Sequence, residues 1–196
     1  MYKVYGKPMT RTFRVLWMLE EIGVDYELIQ AAPRSPEITA LNPSGKVPVL
    51  QVGEDYVTDS TAILTYLADK HGALTHPSGT IARAQQDAVT QLLLDELDAV
   101  LWTAARHSFI LPEEQRRPEV KDSLKWEFEH NATRLAERLD GAFLCGDQMT
   151  IADIICVHCL NWAIGAKFPP ANQTLADYAK PIRAREAFQR VRAMAN

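Results

Sequence analysis

Asn42 to Gly72 reads NPSGKVPVLQVGEDYVTDSTAILTYLADKHG, and three successive changes of pattern within it decide the fold of the first part of the chain. The turn-forming run Asn42-Pro43-Ser44-Gly45 leads into Lys46-Val47-Pro48. A hairpin follows, with Val49 to Val52 and Tyr56 to Thr58 as strands and Gly53-Glu54-Asp55 as the turn. At Asp59-Ser60 the apolar spacing lengthens from that of a strand to that of a helix, carried by Ala62, Ile63, Tyr66 and Leu67 and ending near Gly72. Pro48 has no amide hydrogen, and the bond before it takes one of two isomers. If that bond is cis, Val47 turns its own N–H and C=O outward, where an extended ligand can pair with them as an added strand. Ser60, with Asp59 beside it, would cap the helix, whose first amides attract a carboxylate. Such a segment suits a small acidic peptide.

Upstream, Lys3 to Tyr5 reads as a strand and Gly6 to Met9 as a loop. From Thr10, the residues Phe13, Leu16, Trp17, Leu19 and Ile22 recur at helical spacing until Gly23 stops them. Tyr26 to Ile29 is the next strand, so a β-α-β unit with a right-handed crossover is expected. Ala31 to Asn42, with Pro33 and Pro36, reads as a loop holding a small helix. Residues 1–75 thus form an α/β domain, β-α-β followed by β-β-α.

His71 to Gly79 is the best linker, and everything beyond it reads helical. Ile81, Ala84, Ala88, Leu92 and, beside them, Val89, Leu93, Leu97, Val100 and Leu101 supply two adjacent rows of one long helix. Leu124, Phe128, Leu135 and Leu139 supply a second, joined to the first through Pro112. Met149 to Asp153 opens a third, unusually apolar helix over Ile154 to Ile164, expected at the centre of a helical bundle spanning 76–196. Thr150 and Asp153 have the spacing of a capping box, with Met149 and Ile154 as staple residues, which is a folding element and not a site.

The 196 residues are 47% hydrophobic and 23% charged, ordinary for a soluble protein able to bury a core. A net charge of −4, shared evenly between the halves, gives no basic patch for nucleic acid or a membrane surface. The opening MYKVYG has no apolar signal core behind it, and nowhere do about 18 uncharged apolar residues run together, so a cytoplasmic protein is expected. Cys145, Cys156 and Cys159 are too few for a disulfide framework, which fits a reducing compartment. Cys156 and Cys159 spell C-x-x-C inside an apolar helix without a second ligand pair, so they and His158 read as core residues rather than a metal or redox site. No metal is expected, since His71, His76, His107 and His130 show no ligand spacing.

In this order and spacing, five stretches resemble the cytosolic glutathione transferase family over nearly the whole chain. They are VYGKPMTRTFRVLWMLEEIGVDYE (4–27), LNPSGKVPVL (41–50), DSTAILTYLA (59–68), GDQMTIADI (146–154) and REAFQRVRAM (185–194). The resemblance implies a thioredoxin-like N-terminal domain that binds glutathione as co-substrate and an all-α C-terminal domain that supplies the wall for a small apolar electrophile. It also implies a homodimer. Carried onto matching positions, it gives Ser60 to the γ-glutamyl carboxylate, Asp59 to the γ-glutamyl amine, the Val47 backbone before Pro48 to the cysteinyl residue, and Lys46 to the glycine carboxylate. Trp102, Arg106 and Phe109 fall where the family lines its apolar pocket, and Met9 closes it from the loop; core or interface packing is the plainer reading of each. Trp162 and Phe168 read more readily as core.

A cysteine thiol with a pKa of about 8.5 is only about 3% ionised at pH 7. Lowering that pKa by about two units takes about 2.7 kcal/mol of preferential thiolate stabilisation. A hydroxyl donating to a charged acceptor contributes about 1.5 to 3 kcal/mol and a helix N-terminus up to about 2, so the two together suffice. The resemblance offers two hydroxyls. Thr10 stands at the start of the first helix, where the similar bacterial, serine-branch loops carry serine; Tyr5 ends the first strand, where other branches place a tyrosine. The loop GKPMTRTFR looks more like the serine branch, which favours Thr10. Lys7 and Arg11 flank it as charges without an assigned role. No cysteine precedes Leu144, so disulfide exchange in the first domain is disfavoured.

The expected activity is conjugation of glutathione to small apolar electrophiles, with reduction of organic hydroperoxides beside it. Glutathione-dependent isomerisation is a weaker alternative, because the paired serine and cysteine of that branch are missing. A non-catalytic glutathione-binding or scaffold module is the other, since a fold alone does not fix activity.

Overall fold

The computed structural model describes residues 1–169 and 172–195. The chain divides into two compact units, Met1–Ser78 with Ile182–Asn196, and Gly79–Pro181.

The first unit is built on a four-stranded sheet. Its elements are β1 (Tyr2–Tyr5), α1 (Thr12–Ile22), β2 (Tyr26–Ile29), α2 (Pro36–Leu41), β3 (Val49–Val52), β4 (Asp55–Thr58) and α3 (Ser60–His71). The strand order is β2-β1-β3-β4, with β1 parallel to β2 and antiparallel to β3, and β3 antiparallel to β4. Alternation along β1 and β3 sorts the two faces. Tyr5 and the paired Val49 belong to a cluster with Ala31 and with Ile38 of α2. Val4 and Leu50, one residue on and equally paired, are fully buried on the opposite face. The apolar run of α1 is buried from Val15 to Leu19, deeper than a one-sided stripe predicts. Part of its cover is α9 (Glu186–Met194), which packs on α1 within this unit. Phe188 meets Phe13 and Trp17 edge-on, with ring centroids 5.2 and 5.0 Å apart. Arg185 clasps Glu21 through two bonds of 2.7 Å, and Arg190 holds Glu20 at 2.6 Å.

The second unit is helical: α4 (Ile81–Leu93), α5 (Ala99–Ala105), α6 (Val120–Glu137), α7 (Ile151–Gly165) and most of α8 (Gln173–Arg183). The long first helix expected from the two apolar rows is present, but two π-helical stretches, Leu94–Asp98 and Arg106–Ile110, interrupt it. Of the first expected row, Ile81, Ala84 and Ala88 are exposed, and α4 instead buries Arg83, Gln86, Thr90 and Leu93. As expected, α7 is the buried centre, with Ile151, Ile154, Ile155, Val157 and both cysteines Cys156 and Cys159 inaccessible, packed by α4 and α5. The capping box is formed, and Asp153 does more than cap. Its carboxylate also accepts the Leu144 N–H at 2.9 Å and the Tyr178 hydroxyl at 2.7 Å, tying the preceding loop and α8 to the start of α7. Among the described residues no helix is long and apolar enough to cross a membrane.

Candidate active site

Asn42 organises the turn before Val47-Pro48. Its amide oxygen accepts the Ser44 N–H and hydroxyl, its backbone carbonyl accepts the Gly45 N–H at 2.8 Å, and its amide nitrogen donates to the Lys46 carbonyl at 2.9 Å. This is the local hydrogen bonding by which a short amide side chain fixes a turn. Gly45 takes φ +67°, and a Cβ there would come within 3.0 Å of Arg34 Cγ, so both conformation and space ask for glycine. The turn leaves Lys46 exposed and Val47 half-buried. The Val47–Pro48 bond is cis, and Val47 lies beyond the β1–β3 ladder, whose pairing ends at Tyr5 and Val49.

At the start of α3 the roles of two neighbours differ from the expectation. Asp59, not Ser60, is the N-cap: its Oδ1 accepts the amides of Thr61 at 2.8 Å and Ala62 at 3.1 Å. Ser60 is the first helical residue and is buried. In Asp-Ser either side chain can cap, and the backbone decides, since only the residue outside the helical region can turn its side chain back onto the amides. Asp59 does so at φ +71°, a region that costs a non-glycine residue about 1 kcal/mol or more. The cap uses one oxygen only. Among the described residues, Asp59 Oδ2 and the Ser60 N–H make no hydrogen bond.

Beneath Ser60 lies a residue that the pattern does not reveal. Arg14 of α1 is completely buried, and its Nη1 donates to Ser60 Oγ at 3.4 Å. A charged residue next to Phe13 reads as the edge of the stripe; the available signal was its place inside the run FRVLWML, which leaves no polar face at that level.

The loop after β1 folds tightly onto α1. A Cβ on Gly6 would overlap Thr12 Oγ1, and Gly6 has φ +146°. Thr10 precedes the helix, which begins at Thr12, and turns its hydroxyl inward on the loop. That hydroxyl has one proton and two acceptors in reach, the Lys7 carbonyl at 2.8 Å and Thr12 Oγ1 at 2.9 Å, and it accepts the Thr12 N–H at 3.2 Å. Tyr5 stands apart from this group. Its hydroxyl, on the α2 face of the sheet, donates to Gln51 Oε1 at 2.8 Å, and burial first of all pushes its pKa up. Met9 is exposed on the loop.

In the second unit, Trp102 and Arg106 are half-buried one helical turn apart, and Phe109 is exposed on the following turn. Arg106 Nη2 donates to Thr103 Oγ1 at 3.0 Å. Phe168 is buried edge-on against Phe128, as its core reading requires. Among the described residues no group of three histidine, cysteine or carboxylate side chains is placed to hold a metal.

Comparison with known proteins accounts for both units. Residues 1–69 match the model for the glutathione S-transferase N-terminal domain, and residues 97–180 match that for the C-terminal domain. Glutathione S-transferase 4 of Zea mays is 30% identical, covering 96% of this chain and 91% of its own length. A glutathione S-transferase of Silene vulgaris is 26% identical over 98% of this chain and 97% of its own. The crystal structure of a glutathione transferase from Methylococcus capsulatus superposes with a TM-score of 0.86 at 24% identity, covering 99% of this chain and 98% of that one, which supports the fold.

Proposed function

The chain belongs to the glutathione S-transferase family, and we propose that it conjugates glutathione, through sulfur, to small electrophiles. The observation that carries the reading is the start of α3. There a carboxylate oxygen of Asp59, the Ser60 N–H and the Ser60 hydroxyl stand together, which is the complement of one amine and one carboxylate on the same carbon. Glutathione offers that pair in its γ-glutamyl end. The Val47 peptide group, outside the sheet ladder, pairs with the cysteinyl residue, and Lys46 meets the glycine carboxylate.

Thr10 is the group that donates to the sulfur. Its hydroxyl rotates from the Lys7 carbonyl to the thiolate while the Thr12 N–H holds its oxygen in place. Charge-assisted donation of this kind contributes about 1.5 to 3 kcal/mol toward the roughly 2.7 kcal/mol needed for ionisation, while the amides of Thr12, Phe13 and Arg14 are held within the loop by Thr10 Oγ1, the Thr10 carbonyl and the Arg11 carbonyl. Tyr5 is the weaker candidate, because its hydroxyl already donates to the Gln51 side chain on the α2 face of the sheet, apart from the Thr10 loop. In conjugation the thiol proton leaves to solvent, the carbon–sulfur bond forms, and the leaving group departs with its electron pair. On the second unit, Trp102, Arg106 and Phe109 are the candidate contacts for the electrophile; on the first, Met9 is exposed on the loop. Hydroperoxide reduction by the same thiolate, a cytoplasmic location and a homodimer complete the reading.

Calorimetry with glutathione, followed by conjugation of a chromogenic aryl halide and turnover of cumene hydroperoxide, tests it. Millimolar or tighter binding with aryl halide turnover is expected. Binding without turnover leaves only a glutathione-binding module, and absence of binding removes the reading altogether.

A further inference from the structure

Among the described residues two charged side chains are completely inaccessible, Arg14 and Asp153. Asp153 is explained by the donors that gather at the start of α7. Arg14 sits in the other unit, on α1, which packs against α3, and its Nη1 lies 3.4 Å from Oγ of Ser60, the first residue of α3. Burying a cation costs several kcal/mol, so its place beneath a helix start calls for a use. The guanidinium is always charged, and its charge adds to the positive end of the α3 dipole, so both favour an anion at Ser60.

The direction of the contact says what Arg14 does there. Arginine has donors and no acceptor, so Ser60 Oγ accepts from it and the hydroxyl proton points away from it. At 3.4 Å the contact is longer than an optimal N–H···O bond, so it turns and polarises the hydroxyl without clamping it. Among the described residues nothing accepts the Ser60 hydroxyl proton, and the Ser60 N–H is unused as well. Ser60 is only 3% exposed, and a buried donor left without an acceptor is costly. An anion arriving at the start of α3 supplies acceptors for both.

We propose that Arg14 is a positioning residue for glutathione, turning the Ser60 hydroxyl so that its proton is given to the α-carboxylate of the γ-glutamyl end. Arg14 does not touch the ligand; through Ser60 it sets the preference for peptides that carry that carboxylate. The inference rests on the glutathione-binding part of the proposed function and is independent of conjugation.

The test is calorimetry with glutathione and with 4-aminobutyryl-cysteinylglycine, the same peptide lacking the α-carboxylate, read as the ratio of the two affinities. Wild type should bind glutathione about tenfold or more the tighter. Arg14→Met, which fills a similar volume without charge, should lower that ratio about fivefold, and Ser60→Ala should lower it about tenfold. In the Ser60→Ala background Arg14→Met should lower it no further, because the two residues act as one path. An unchanged ratio in Arg14→Met overturns the proposal, as does an equal loss for both peptides, which is what a merely structural arginine gives. A further fivefold fall in the Ser60→Ala background also overturns it, since Arg14 would then act without the hydroxyl. Circular dichroism checks folding. Should Arg14→Met not fold, Arg14→Lys takes its place: it keeps the charge on a shorter stem, the ratio should fall by a smaller factor, and an unchanged ratio overturns the proposal. A ratio that Ser60→Ala leaves unchanged overturns it whatever the Arg14 variants do. Binding of glutathione with an Arg14-independent ratio removes this inference alone, whereas no binding of glutathione removes the proposed function and the inference together. Arg14-dependent binding without turnover bears the inference out and leaves conjugation refuted.

Discussion

Replacing Asp153 by alanine should destabilise the helical unit far more than loss of a helix cap alone. A capping residue is worth about 0.5 to 2 kcal/mol, and Thr150→Ala should lie in that range. The Asp153 carboxylate, wholly inaccessible, also serves the Leu144 N–H at 2.9 Å and the Tyr178 hydroxyl at 2.7 Å, besides the Thr150 N–H at 2.7 Å and hydroxyl at 3.2 Å. Hydrogen bonds to a charged acceptor contribute about 1.5 to 3 kcal/mol each before the charge's own burial is counted. That burial is substantial, since it pushes the carboxyl's pKa above its ordinary value in spite of the four donors, and alanine removes the buried charge as well. Weighing these, about 4 kcal/mol is expected for Asp153→Ala, the large loss that breaking a buried hydrogen-bond network and orphaning its donors gives. Tyr178→Phe, which deletes one donor and keeps the ring, should cost about 1 to 1.5 kcal/mol. Urea unfolding followed by far-ultraviolet circular dichroism measures all three; with a slope of about 2 kcal/mol per molar, Asp153→Ala moves the midpoint by about 2 M. A loss for Asp153→Ala no larger than that for Thr150→Ala would refute the reasoning, because the carboxylate would then be acting as a cap only.

Asp59→Asn keeps an oxygen for the α3 amides but removes the charge, so stability should change by only a few tenths of a kcal/mol while calorimetric glutathione affinity falls about tenfold. Gly6→Ala should cost about 3 kcal/mol or more in urea unfolding, since the new Cβ overlaps Thr12 Oγ1 at a φ that alanine avoids. Tyr26 is held well above its ordinary pKa of 10.0, first by burial and then by donation to Glu20 at 2.8 Å. A raised pKa means the folded state keeps a proton that the unfolded chain has lost. The stabilisation is therefore fully present below pH 10 and is lost as pH rises further toward the folded value, so Tyr26→Phe should flatten the alkaline fall in thermal stability.

The order of elements was legible because each boundary carries its own local signal. Gly23 ends α1, the Asn42 to Gly45 turn precedes β3, and Thr150 with Asp153 opens α7. What escaped depends on geometry that no local pattern encodes. The choice of Asp59 over Ser60 as cap turns on one backbone angle, and the burial of Arg83, Gln86 and Thr90 in place of Ile81, Ala84 and Ala88 runs against the hydropathy of α4. The packing of Phe188 on Phe13 and Trp17 joins residues far apart in sequence, each of which reads simply as apolar. Arg14 was missed for a related reason: charge in a sequence argues for solvent, and only three-dimensional packing puts a guanidinium under Ser60. For the candidate site, the residue types at Lys46, Val47, Asp59 and Ser60 were readable, whereas the internal bonds of Thr10 and Tyr5, on which the proposed thiol activation turns, were not.

The central claim is that the Thr10 hydroxyl stabilises the thiolate of bound glutathione. The most direct measurement is the thiolate absorbance of the glutathione complex as a function of pH in wild type, Thr10→Val, Thr10→Ser and Tyr5→Phe. The account predicts a bound thiol pKa about two units below the ordinary value of about 8.5, raised by one unit or more in Thr10→Val and kept low in Thr10→Ser and Tyr5→Phe. A rise in Tyr5→Phe with none in Thr10→Val would contradict it.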